Sequence, residues 1–173
     1  MGTRRRAREL AMQALFHLDM QKEEAASRGG EDPAEPLELY CRNFPPSKKA
    51  HPFFVKIVKG VRLAQDEIDR VVERYSNNWK ITRMSCVDRN VLRVAVFELL
   101  YCEDIPAKVS INEAIDVGKK YGTDESGAFI NGILDSIRIA MEAGEVAGSE
   151  ALRHAVSQIK IDSSREAEAA EAD

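Results

Sequence analysis

The sequence predicts an all-α protein of two packed helical subdomains forming a compact helical bundle. Three observations carry this. Apolar residues recur at i, i+3, i+4 and i+7 along most of the chain. No stretch sustains period-two alternation, and no Asn-Gly pair joins two apolar runs as a hairpin would. Proline and paired glycine fall between the periodic stretches. At 173 residues and 44% apolar content, the chain builds one domain or two small units sharing a core. The expected division is residues 1–77, residues 78–144, and an acidic extension over 145–173.

The first helix is expected from just after Thr3 to near Gln21, because Ala7, Leu10, Ala11, Ala14, Leu15 and Leu18 make one apolar stripe. Residues 23–34, with Gly29-Gly30 and Pro33, read as a loop. Leu37, Leu39, Tyr40 and Phe44 suggest a short helix stopped by Pro45-Pro46. Pro52 suits the first turn of a long helix whose apolar spacing persists to about Asn77. Gly60 inside it marks a kink or a close approach. Trp79 and Ile81 fall in a connector. From Val87 to Tyr101 apolar residues wrap most of the circumference, which places this helix at the centre. Its charged residues Asp88, Arg89, Arg93 and Glu98 are therefore expected along an exposed edge. Ser110-Ile111-Asn112-Glu113 reads as a capping box, and Gly122 as a left-handed helix end. Thr123 is a candidate cap for a last helix ending at Gly144. Asn131-Gly132 lies inside that helical pattern and is read as a point of close packing. Beyond Gly148 a weak amphipathic helix is expected, and residues 162–173 read as disordered.

Charge is uneven. The formal net charge is −4, and residues 145–173 alone hold seven acids and three bases. The first 144 residues therefore balance. Within them Arg4, Arg5, Arg6 and Arg8 crowd into the first eight positions, where Glu9 is placed to order one of them. Arginines at the positive end of a helix dipole are locally unfavourable, which is consistent with a binding role toward phosphate. A solvated arm is the alternative reading.

Other chemistries find little support. The three cysteines, Cys41, Cys86 and Cys102, are odd in number and form no CxxC. The histidines His17, His51 and His154 are scattered. No disulfide framework, metal site or cofactor is expected. There is no Gly-rich phosphate loop, HExxH or GxSxG, so a binding module rather than an enzyme is expected. No segment approaches the roughly 20 apolar residues that span a bilayer. The early arginines are not followed by the apolar run of a signal peptide, so a cytoplasmic protein without membrane contact is expected.

Two stretches carry a resemblance. One is Arg4-Arg5-Arg6-Ala7-Arg8-Glu9 through Gln13-Ala14-Leu15-Phe16. The other runs from Asn90-Val-Leu-Arg-Val-Ala through Ile105-Pro-Ala-Lys-Val-Ser-Ile-Asn-Glu-Ala-Ile and Lys119-Lys-Tyr-Gly to Phe129-Ile-Asn-Gly-Ile-Leu-Asp. In order and spacing, from about residue 3 to residue 140, the chain resembles the NusB family of bacterial transcription antitermination factors. The resemblance implies two helical subdomains and no cofactor. It implies binding of boxA-type single-stranded RNA together with the small-subunit ribosomal protein NusE, within an RNA polymerase antitermination complex on ribosomal RNA operons.

For the RNA site, the resemblance points to Arg4, Arg5, Arg6 and Arg8 against the backbone, with Lys119 and Lys120 adding charge. It points to Phe16, Tyr121 and Phe129 as aromatic positions for unstacked bases, and to Glu125 as an acceptor for a base edge. Core packing competes with stacking for Phe16 and Phe129. For the protein partner it points to the region from Ile81 to Arg93, with Ile81, Asp88, Arg89 and Arg93 as candidates. Residues 22–50 and 145–173 depart from the family pattern. The acidic extension is either a passive tail or a screen for the arm. Two other readings stay open: a protein-interaction module or homodimer, and a stand-alone relative of the N-terminal domain of ribosomal RNA cytosine methyltransferases.

Overall fold

The computed structural model describes residues 2–27, 29 and 37–159. All regular structure among these residues is helical: α1 (Thr3–Ser27), α2 (Leu37–Asn43), α3 (His51–Arg74), a single 3-10 turn (Ile81–Arg83), α4 (Cys86–Tyr101), α5 (Ala107–Tyr121) and α6 (Ser126–Glu142). Residues 150–159 are helical as well. The fold is therefore all-α, as the periodicity predicts. Helices α1 and α3 pack on each other and on α4, while α5 and α6 pack on each other and on α4. The central helix owes its place to its sequence. With apolar residues all round it, every residue from Arg89 to Tyr101 is buried. Gly60 is the contact point of α3 with this centre, since a Cβ there would lie 2.3 Å from the Phe97 ring.

The charged residues of α4 do not form an exposed edge. Arg89, Arg93 and Glu98 are buried, and Asp88 is half-buried at the helix start. Burial on all sides leaves no such edge, so the surrounding helices supply counter-charges. Asp19 of α1 accepts from Arg89 Nε at 2.9 Å, Arg93 Nη1 at 2.8 Å and Asn90 Nδ2 at 3.0 Å. Asp69 of α3 takes Arg93 through both oxygens, at 2.8 and 2.9 Å. Glu98 receives Arg8 of α1, whose Nη2 donates at 2.7 Å and whose Nε lies 3.0 Å from each carboxylate oxygen. Ser110 Oγ of α5 adds a bond to Glu98 at 3.2 Å. Burial pushes the Glu98 carboxyl upward, against the pull of Arg8.

The seam between α1 and α5 explains why the predicted capping box does not form. Helix α5 begins at Ala107 behind Pro106, so Ser110 lies inside the helix rather than at its cap. Its hydroxyl is taken by Glu98. Glu113 receives Arg5 through Nε and, at 2.9 Å, through Nη2, and Arg8 Nη1 lies 3.6 Å away. Buried and half-buried charges have claimed both side chains. The hydrogen bond from Arg5 holds the Glu113 carboxyl below its usual range.

Other boundaries also shift. Helix α1 continues to Ser27, so residues 23–27 are helical rather than loop. Gly122 is not left-handed, with φ −96°. Glycine is needed there for space, because a Cβ would lie 2.3 Å from Ser126 Oγ. Thr123 does not cap α6; its own backbone N–H donates to Ser126 Oγ at 2.9 Å. Asn131 and Gly132 are exposed, with nothing within 4 Å of a Cβ added at Gly132, so no close packing occurs at this pair. Past a left-handed Gly144 (φ +75°), the helix at 150–159 docks on the body. Val146, Val156 and Ile159 are buried, and the Ser149 N–H donates to Glu67 of α3 at 3.2 Å. The loop reading of residues 30–34 and the disorder reading of 162–173 lie outside the described residues.

Three consequences are measurable. Gly60→Ala forces a methyl group into Phe97 and lowers stability in urea unfolding by about 1–3 kcal/mol, while Gly132→Ala, in open space inside a helix, raises it by about 0.5–1 kcal/mol. Arg8→Ala strands the buried Glu98 and lowers stability by about 3–5 kcal/mol in the same assay. Glu113 has a depressed pKa in the folded protein, so the unfolded chain takes up its proton first as pH falls. Its contribution is complete above the ordinary glutamate pKa, near about 4.3, and disappears as pH falls through the lowered value. Glu113→Gln therefore loses below about 1 kcal/mol at neutral pH, because the pair with Arg5 is part-exposed. Its stability then declines less steeply with acid than that of the parent.

Candidate RNA interface

The first turns of α1 carry four arginines into different surroundings. Arg8 faces inward and is committed to Glu98. Arg5 is part-exposed and reaches across to Glu113 and, at 2.7 Å, to Asp116 of α5. Arg4 and Arg6 are the open pair, with side chains 55% and 50% exposed. Arg4 stands 5.3 Å above the Phe53 ring and 3.2 Å from Asp104. Arg6 reaches Glu9 at 3.3 Å.

Glu9 joins the arm to the helix bend. It is buried, and while one of its oxygens takes Arg6, the other takes Lys120 of α5 at 3.0 Å. Lys120 Nζ in turn lies 5.2 Å from the centre of the Tyr121 ring. The series Arg6, Glu9, Lys120, Tyr121 is continuous. Arginines from the start of the chain and an aromatic ring more than a hundred residues later thus share one surface. The hydrogen bond to Glu9 pushes the Lys120 ammonium further up, and that to Glu113 does the same for the Arg5 guanidinium. Both stay charged at any physiological pH. Arg4's partner Asp104 is exposed, and such a pair exchanges readily for a phosphate, whereas Arg6 is held by the buried Glu9.

The remaining aromatic candidates are half-buried. Phe16, Tyr121 and Phe129 each pack against the core with part of the ring left open. Lys119 is exposed, and its aliphatic stem lies across Gly127, where a Cβ would meet Lys119 Cε at 2.9 Å. Glu125 is exposed at the start of α6 and makes no side-chain cap bond.

The partner candidates sort differently. Ile81 is buried, and its N–H donates to Glu73 at 2.9 Å. Arg89 and Arg93 are consumed by Asp19, Glu23 and Asp69. Asp88 sits at the start of α4, where its N–H bonds the Ser85 cap at 3.1 Å. Its Oδ1 is buried without a hydrogen-bond partner among the described residues.

Several further residues that shape this surface carry weak signals in the sequence. Phe53 lies beneath both Arg4 and Arg8, at 5.3 and 5.4 Å. Asp104 and Asp116 hold arginines from about a hundred residues away. Trp79 stands edge-on to Phe129, with ring centres 6.0 Å apart. Its signal is an indole placed in a polar connector after two asparagines.

Comparison with known proteins places this geometry. The NusB family model matches residues 5–138. The transcription antitermination protein NusB of Desulfatibacillum aliphaticivorans is 55% identical over 147 residues, covering 85% of this chain and 97% of that protein. That of Myxococcus xanthus (strain DK1622) is 47% identical over 145 residues, covering 82% and 98%. Among solved structures, T. maritima NusB aligns with TM-score 0.63 at 38% identity, covering 83% of this chain and 97% of that one. A crystal structure of antitermination factors NusB and NusE in complex with dsRNA aligns with TM-score 0.64 at 28% identity, covering 80% and 97%. With Arg5, Arg6 and Arg8, the buried central helix and the α5–α6 bend all inside the matched span, this chain belongs to the NusB family.

Proposed function

We propose that this chain is an RNA-binding transcription antitermination factor. It takes boxA-type single-stranded RNA together with the ribosomal protein NusE, and supports transcription of ribosomal RNA operons within the RNA polymerase antitermination complex of the cytoplasm. The observation that carries this reading is the unbroken series from Arg6 through Glu9 and Lys120 to Tyr121. Single-stranded RNA needs both a cationic track and flat rings for its bases, and here the two adjoin. A solved relative is described as a complex of NusB and NusE with dsRNA, which supports the choice of partners.

In this reading Arg4, Arg5, Arg6, Lys119 and Lys120 face phosphates. Tyr121 and the open part of Phe129 carry bases, and Glu125 accepts from a base edge. Arg8 and Phe16 act from within, fixing the angle of α1. The unit 1–77 supplies the arm and the unit 78–144 the rings, so the RNA crosses between them. For NusE, the half-buried Asp88 at the start of α4 is the candidate contact, with Ile81 buried in the turn that precedes the helix. Arg89 and Arg93 hold the start of α4 in place beneath it.

The test is a salt titration of binding to boxA RNA and to a scrambled control. The double variant Arg6→Ala with Lys120→Ala, made together with Glu9→Gln so that no bare carboxylate is left buried, binds more weakly at all salt concentrations. The slope of log K against log salt falls by about 0.7 for each phosphate that is no longer neutralised. Its helical circular dichroism stays that of the parent. Parental affinity and slope in this variant would remove the arm and bend from the RNA surface.

A further inference from the structure

The aromatic surface does not stop at Phe129. Trp79 is 52% exposed, its ring centre 6.0 Å from that of Phe129 and its plane turned 73° from it. Indoles rank with the most costly side chains to leave in water, yet this one is held out by a built turn. Asn77 and Asn78 are consecutive left-handed residues, with φ 51° and 68°. Asparagine is among the few side chains that tolerate that region. The turn is closed on both sides: the Trp79 N–H donates to the Ser76 carbonyl at 3.2 Å, and Ser76 Oγ donates to the Trp79 carbonyl at 2.9 Å. Glu73 then anchors the next residues through the Ile81 N–H at 2.9 Å. Lys80, next in the chain and with 69% of its side chain exposed, stands 4.0 Å from Glu73.

We propose that Trp79 is a further base-stacking platform, which with Phe129 holds an unpaired base of single-stranded RNA. The inference rests on the RNA-binding reading and extends it to the turn after α3. Two features favour RNA over a protein at this patch. It is continuous with Phe129, whose helix also carries the Gly127 against which the Lys119 stem lies. It also offers an open indole face, on which an unpaired base stacks, with an exposed lysine next in the chain. The 73° angle leaves the rings uncovered by one another, as a parallel stack would not.

Trp79 is the single tryptophan of the chain, so its emission reports on this site alone. The full chain is titrated with a boxA-type single-stranded oligonucleotide, following indole emission and gel mobility in parallel. Emission is quenched along the same saturation curve as the mobility shift. Trp79→Phe retains affinity within about twofold, whereas Trp79→Ala and Trp79→Leu weaken binding about tenfold, the scale of one missing stack. The salt slope is unchanged in both, since every phosphate keeps its cation. Leucine separates stacking from packing, because it fills space without offering a flat face. RNA bound at parental affinity by Trp79→Ala, or bound without any change in emission, overturns the inference and leaves the RNA reading standing. Failure of the parent chain to bind RNA overturns both. Loss of NusE binding in Trp79→Ala with RNA affinity retained assigns the patch to the protein instead, and overturns the inference.

Discussion

Burial of α4 from Arg89 to Tyr101 is the constraint on which the rest of the molecule depends. A helix walled in on every side has no place for a solvated charge, yet α4 carries Arg89, Arg93 and Glu98. Each is accommodated only because another helix delivers an opposite charge to the right depth: Asp19 and Arg8 from α1, Asp69 from α3. Such pairs add little net stability over well-packed apolar groups, but a half-formed one is costly. They therefore act as registers. If α1 slid by a turn, Asp19 and Arg8 would both miss their partners, and the arm that precedes Arg8 would point elsewhere. The position of an exposed surface is thus set by charges hidden from solvent.

The same logic decides how much is legible in the sequence. Periodicity yields the helices and identifies α4 as central, because apolar spacing is a local property. The order of elements and the family match follow from motifs equally local. The departures share a cause. Asp88, Arg89, Arg93 and Glu98 read as an edge because a single helix does not reveal the carboxylates and guanidinium that reach it from other helices. Ser110 and Glu113 have the spacing of a capping box, but the capping role loses to a buried glutamate and two arginines. Gly122 invites a reading from backbone freedom, whereas the decisive factor is the Ser126 hydroxyl beside it. Local signals fail wherever a distant charge or side chain competes for the same group.

At the candidate site, the residue types are legible but their division of labour is not. Four arginines in sequence look alike, whereas the fold uses one as an internal strut, one as a bridge between helices, and two as open cations. Glu9 shows the same duality. Buried and acidic, it would repel RNA if left bare, yet Arg6 and Lys120 cover both of its oxygens. The surface offered to a phosphate is therefore a set of cations already aligned by carboxylates, with less side-chain freedom to lose on binding. An arm of free arginines would attract any polyanion, while one held in place discriminates by spacing.

The helix at 150–159 lies beyond the span matched by the family, yet it is stitched to the heart of the bundle. Glu67 of α3 accepts from the Tyr101 hydroxyl at 2.7 Å and from the Ser149 N–H at 3.2 Å, and Gly148 lies where any side chain would strike the Tyr101 ring. An appendage outside the family span has in this way become a third party to the α3–α4 contact. Substitutions at Tyr101 or Glu67 that a shorter relative tolerates would carry a different penalty in this chain, so tolerance maps measured on one member of the family do not transfer to another at these two positions.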